Sequence, residues 1–191
     1  MSARPQIGII VGSTRPVRVG RTVADEIATL VEAAGADADM LDLREIGLPL
    51  LDEAMTPATG VRTNPHSIAW AERIVALDGV VFVTPDYNAG YPAALKNAID
   101  YLKGEWVGKP AVVVSYGWAG GRSAAAQLHA VLDHIGLVRT GDGVRMPFEG
   151  ADFDESQRLL DGQAFVGRSI DELRESVTGL VAAAAKELVA A

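Results

Sequence analysis

The chain has no cysteine among its 191 residues. That absence excludes disulfides, thiolate nucleophiles and cysteine metal sites, so any redox work falls to a bound cofactor. Histidines number three, and His129 and His134 stand five apart, which is not the spacing that puts two ligands on one helical face. No metal site and no side-chain general acid are expected. Basic residues are outnumbered 17 to 25, for a formal net charge of −8. That balance argues against a nucleic-acid or anionic-membrane surface. No apolar run is long enough to span a membrane, and Met1-Ser2-Ala3-Arg4-Pro5 lacks the apolar core of a signal peptide. A cytoplasmic location is the expectation. Two nucleotide motifs are also missing. Without Gly-x-x-x-x-Gly-Lys-Ser/Thr there is no Walker loop, and Gly12 and Gly20 do not make the Gly-x-Gly-x-x-Gly of a Rossmann domain.

What is present is alternation. Short apolar runs sit near 6–11, 38–43, 79–84, 110–115 and 137–145. Helical spacing appears near 20–34, 66–77, 92–103, 121–135 and 169–189. Such alternation predicts one α/β domain over 1–191, a parallel sheet with helices on both faces. The stretch 44–66, with Gly47, Pro49, Pro57, Gly60 and Pro65, shows no clear period and reads as a lid, a binding loop, an interface element or a variable surface loop.

Three segments follow apolar runs and would lie at one edge of that sheet, where open α/β sheets bind ligands. The first is Gly12-Ser13-Thr14-Arg15, with Arg18, Gly20 and Arg21 after it. Hydroxyls, backbone N–H groups, a helix start and three arginines within seven residues suit a phosphate. The second is Thr84-Pro85-Asp86-Tyr87-Asn88-Ala89-Gly90-Tyr91-Pro92. Pro85 stiffens it, and Asn88 and Gly90 tolerate turn dihedrals. It can present backbone groups to the edge of a flat heterocycle. The third is Ser115-Tyr116-Gly117-Trp118-Ala119-Gly120-Gly121, whose glycines allow close backbone approach.

These motifs, with Leu95-Lys96-Asn97-Ala98-Ile99-Asp100 after the second, resemble the NADPH-dependent FMN reductase family of flavodoxin-like proteins, quinone and chromate reductases included. The resemblance implies a flavodoxin-like three-layer sandwich with a five-stranded parallel sheet in the order 2-1-3-4-5. It implies FMN as cofactor, with the phosphate on Ser13, Thr14, Arg15, Arg18 and Gly20. The isoalloxazine would lie along Pro85, Asp86, Tyr87 and Asn88, with Ser115, Tyr116 and Gly117 closing on it. NADPH or NADH would give hydride to flavin N5, and a quinone, flavin or similar small-molecule acceptor would take it away. A homodimer or homotetramer is implied as well. The alternative is a flavodoxin-type single-electron carrier without efficient NAD(P)H oxidation. The chain departs from many relatives at Arg18 and Gly20, where they have serine and asparagine, and at Asp86, where glutamate is common.

Overall fold

A computed structural model describes the chain from residue 4 to residue 190, with side chains as far as Lys186. Met1, Ser2 and Ala3 of the amino-terminal reading lie outside the described residues. The first half alternates β1 (Gln6–Val11), α1 (Gly20–Ala33), β2 (Asp37–Asp42), α2 (Leu43–Ile46), α3 (Pro65–Val75) and β3 (Gly79–Pro85). The second half runs α4 (Ala93–Asp100), β4 (Pro110–Gly117), α5 (Arg122–Ile135), β5 (Val138–Arg139), β6 (Val144–Pro147), α6 (Gly162–Gly167) and α7 (Ile170–Ala190).

The strands form one parallel sheet in the order β2-β1-β3-β4-β5, with β6 also on β4. This is the flavodoxin-like order. The single fifth strand expected over 137–145 is instead two. β5 pairs with Pro110 and Ala111, and β6 pairs with Val114 to Gly117. Gly141 and Gly143 between them both take positive φ, and a Cβ on Gly143 would sit 2.2 Å from the Val113 carbonyl oxygen. The backbone therefore leaves the ladder and rejoins it past that close approach.

β3 and β4 are buried along their whole length, so their sequences read as unbroken apolar runs. Alternate residues feed two cores. Ile7, Ile9, Val11, Val81, Val83, Val112 and Val114 face α1 and α7. Ile10, Val80, Phe82, Ala111 and Val113 face α3, α4 and α5. β2 is the edge strand, and Asp37 and Asp39 along it discourage further pairing.

α4 ends at Asp100, not near 103, because two buried indoles take its final carbonyls. Trp70 Nε1 donates to the Ala98 carbonyl at 2.8 Å, and Trp106 Nε1 donates to that of Ile99 at 3.2 Å. Lys96 and Asp100 make the expected pair one turn apart, at 2.7 Å. The 44–66 stretch begins with α2, capped by the Asp42 carboxylate, and is then clasped from the side. The Asn97 amide donates to the Pro49 carbonyl at 2.7 Å and accepts from Leu51 N–H at 2.9 Å.

Candidate functional site

The three loops leave β1, β3 and β4 side by side at the carboxyl edge of the sheet. In the first, Ser13 is buried and its hydroxyl meets the Tyr87 hydroxyl of the second loop at 2.6 Å. Thr14 and Arg15 are exposed, and Arg15 has no carboxylate partner among the described residues. Arg18 turns toward β2. Its guanidinium holds both oxygens of the buried Asp42 at 2.7 and 2.6 Å and reaches the Ser13 carbonyl at 2.8 Å. Burial alone would raise the Asp42 carboxyl's pKa, but hydrogen bonds from Arg18, Arg44 N–H and Arg21 hold it below its ordinary value. Gly20 opens α1 and lies under the Tyr116 hydroxyl.

The second loop is a tight hairpin turn. Tyr87 and Gly90 exchange backbone hydrogen bonds at 2.8 and 3.1 Å, and the two residues between them take positive φ. Those residues are Asn88 (52°) and Ala89 (66°), not Asn88 and Gly90 as the composition suggested. The Asp86 carboxylate is occupied inside the protein. It accepts from Ala89 N–H at 2.9 Å and from Ala124 N–H, in the first turn of α5, at 3.2 Å. Asp86 N–H donates to the Tyr116 carbonyl, so the second and third loops are tied directly.

In the third loop, the Ser115 hydroxyl is fully buried and donates to the Gly120 carbonyl at 2.7 Å. It shapes the loop and is not free for a ligand. Gly121 has to be glycine, because its φ is +69° and a Cβ would lie 2.8 Å from both Ser115 Cβ and Tyr116 N. The Tyr116 ring is buried, and its hydroxyl makes no well-formed hydrogen bond, with the Ser13 hydroxyl and Gly20 N–H as its polar neighbours. Burial pushes that hydroxyl's pKa well up, so it stays protonated and able to donate.

The loops enclose a recess of 190 Å³. Ser13, Arg15, Arg18, Pro85, Asp86, Tyr87, Tyr116 and Gly117 line it; Thr14, Gly20, Asn88 and Ser115 do not. Sequence reasoning missed its far wall. Phe148, Phe153, Gln157 and Leu159 line it from the segment after β6. Phe148 and Phe153 meet edge to face at 4.8 Å, and Trp118 stands edge-on to Phe148 at 5.8 Å. The chain has four phenylalanines, and two within six residues past the last apolar run were the available signal. Among the described residues, no His, Asp and Glu group could hold a metal ion, and no helix is long and apolar enough to cross a membrane.

Residues 5–148 match the NADPH-dependent FMN reductase family. The chain belongs to that family. An NAD(P)H-dependent FMN reductase of Schizosaccharomyces pombe is 44% identical over 130 residues, covering 66% of this chain and 65% of the relative. One from Saccharomyces cerevisiae is 41% identical over 155 residues, covering 74% of this chain and 81% of its own. The flavoenzyme NAD(P)H:(acceptor) oxidoreductase FerB of Paracoccus denitrificans shares the fold, with a TM-score of 0.73 at 24% identity over 95% of this chain and 98% of that one. Family membership makes FMN the cofactor, NAD(P)H the reductant and the reaction an oxidoreduction. The recess fits such a cofactor on its own terms. A buried phenol without a well-formed hydrogen bond, a helix start and an arginine without a carboxylate converge there, groups that suit a phosphate monoester.

Proposed function

We propose that this recess holds FMN, and that NAD(P)H and then a quinone, a free flavin or a similar small acceptor use its open side in turn. The observation that carries the reading is the Tyr116 hydroxyl, buried without a well-formed hydrogen bond beside the start of α1. Leaving such a donor poorly satisfied costs about 1–3 kcal/mol, which a ligand that accepts from it would recover. Arg15 supplies the full positive charge to the phosphate, with Ser13 and Thr14 beside it. Pro85, Tyr87 and Gly117 border the ring system. The N–H groups of Asp86 and Tyr87 are already engaged by Tyr116 and Gly90 carbonyls. The Trp118 N–H, which has no backbone acceptor among the described residues and whose residue lines the recess, is a donor left for the ring edge.

Bound FMN supplies the hydride chemistry itself. The protein positions it and keeps water from one flank with Trp118, Phe148 and Phe153. No carboxylate or imidazole lines the recess except Asp86, which is tied to backbone donors. The side chains therefore orient and shield, and proton transfer falls to solvent. A single-electron carrier is the weaker reading, because the similar curated proteins are NAD(P)H-dependent FMN reductases and quinone reductases.

A homodimer or homotetramer belongs to the same proposal. Leu50, Leu51 and Met55 are exposed on the clasped segment, beside a groove of 740 Å³ between α4 and α5 that Leu51, Ile99, Val131 and Ile135 help to line. That groove is larger than the recess but has no convergent buried polar groups, so it suits a second copy better than a cofactor.

The test of the cofactor site is a pair of titrations. FMN and riboflavin are added to the flavin-stripped protein and to Arg15→Ala. The variant should lose about 1.5–3 kcal/mol of FMN binding, the range for a hydrogen bond to a charged group, and almost none for riboflavin. Equal affinity of the wild type for both flavins would overturn the assignment.

A further inference from the structure

Arg18 lines the recess, but its guanidinium is already engaged by acceptors of the protein. Its side chain is 10% exposed and that of Asp42 is 1% exposed. Arg18 grips the carboxylate with two parallel bonds, and one of the same nitrogens also donates to the Ser13 carbonyl. The Asp42 oxygens are saturated: Arg44 N–H donates to Oδ1 at 3.0 Å, and Arg21 approaches Oδ2 at 3.5 Å. Asp42 ends β2 in register with Val11, the last residue of β1. The pair therefore ties the loop after β1 to the neighbouring strand.

The tie has a directional consequence. Across a trans peptide, the carbonyl and the following N–H point to opposite sides. With the Ser13 carbonyl drawn to Arg18, the Thr14 N–H is turned the other way. It has no backbone acceptor among the described residues. The Arg18–Asp42 pair is also close to neutral, so it adds little field to a phosphate dianion.

We infer that Arg18 is a positioning residue: clamped by Asp42, it holds the Ser13–Thr14 peptide so that the Thr14 N–H, at the rim of the recess between the lining residues Ser13 and Arg15, faces the FMN phosphate, and Arg15 supplies the charge. This rests on the recess being the FMN site.

Flavin titrations on the flavin-stripped full chain test the inference, because the two roles for Arg18 predict opposite signs at Asp42. Asp42→Asn removes a negative charge near the phosphate and frees Arg18. If Arg18 were a phosphate ligand, FMN would bind tighter or unchanged. As a clamp, its release should weaken FMN by about tenfold or more, the scale of a lost charge-assisted bond, and leave riboflavin within about twofold. Arg18→Met should match Asp42→Asn, and the double variant should be no worse than either single one. Arg18→Lys separates the roles where Asp42→Asn does not fold. Lysine keeps the charge but lacks the planar fork that bridges carboxylate and carbonyl, so FMN affinity should not be rescued. The salt dependence of FMN binding should flatten in Arg15→Ala and stay as in the wild type in the Arg18→Met, Asp42→Asn double variant, which removes both charges of the pair together. Tighter FMN in Asp42→Asn, or full rescue by lysine, would overturn the clamp and leave the site assignment standing. A wild type that does not distinguish FMN from riboflavin would remove the site itself.

Discussion

Gly20 exists as glycine because of Tyr116. A Cβ at Gly20 would lie 2.6 Å from the Tyr116 hydroxyl oxygen and 3.4 Å from Cζ, and the ring is too buried to swing away. The Tyr116 hydroxyl fills the space a side chain there would need.

Gly20→Ala should therefore destabilise the protein by about 1–3 kcal/mol, as overpacking of a buried site does, despite alanine's better helix propensity. Tyr116→Phe should act differently. It removes a buried hydroxyl that makes no well-formed hydrogen bond and should change the stability of the flavin-free protein little, while weakening FMN. The double variant should recover the stability lost in Gly20→Ala. Denaturant unfolding with and without FMN checks all three, and a double variant as unstable as Gly20→Ala would refute the pairing.

Tyr101 makes alkaline stability a local readout. Burial first, and a hydrogen bond to Asp52 second, push its hydroxyl from 10.0 up to about 12. It donates to the Pro49 carbonyl and Asp52, both at 3.1 Å, and so helps to hold the 44–66 stretch on α4. The folded state keeps the proton where the unfolded chain has lost it. This contribution is complete below pH 10, declines as pH rises through 10 to about 12, and is then gone. Tyr101→Phe should be less stable at pH 8 and show a flatter decline above pH 10 in thermal unfolding. An unchanged slope would refute the linkage.

Assembly should depend on the clasped segment. Leu50 is 81% exposed and does not line the recess. Leu50→Asp should shift light scattering at micromolar concentration toward a single chain without changing the FMN spectrum. A wild type that is already a single chain, or a variant that assembles normally, would rule out this face as the interface.

The sequence made some of this visible and hid the rest for physical reasons. Val80–Val83 and Ala111–Val114 read directly as strands, because strands buried on both faces need unbroken apolar residues. The order of the sheet followed from the family resemblance. The break at Gly141 and Gly143 was hidden, because only the Val113 carbonyl explains it. The early end of α4 was hidden too, since it depends on Trp70 and Trp106 arriving from elsewhere. At the site, the three loops were legible from glycines, proline and hydroxyls after apolar runs. Which of their side chains are free was not. Ser115 and Asp86 are taken up by Gly120, Ala89 and Ala124, and Arg18 by Asp42. Phe148 and Phe153 carried no spacing that tied them to the loops.

The central claim is that one flavin recess serves the reductant and the acceptor in turn. Anaerobic stopped-flow mixing of the FMN-loaded protein with NADPH, and separately with NADH, tests it most directly, followed by a second mix with a quinone. The account predicts bleaching of the flavin absorbance by the nicotinamide alone. Recovery on quinone addition should then come at a rate that excess oxidised nicotinamide slows by competition. No bleaching until the quinone is also present, or recovery indifferent to the nicotinamide, would contradict it.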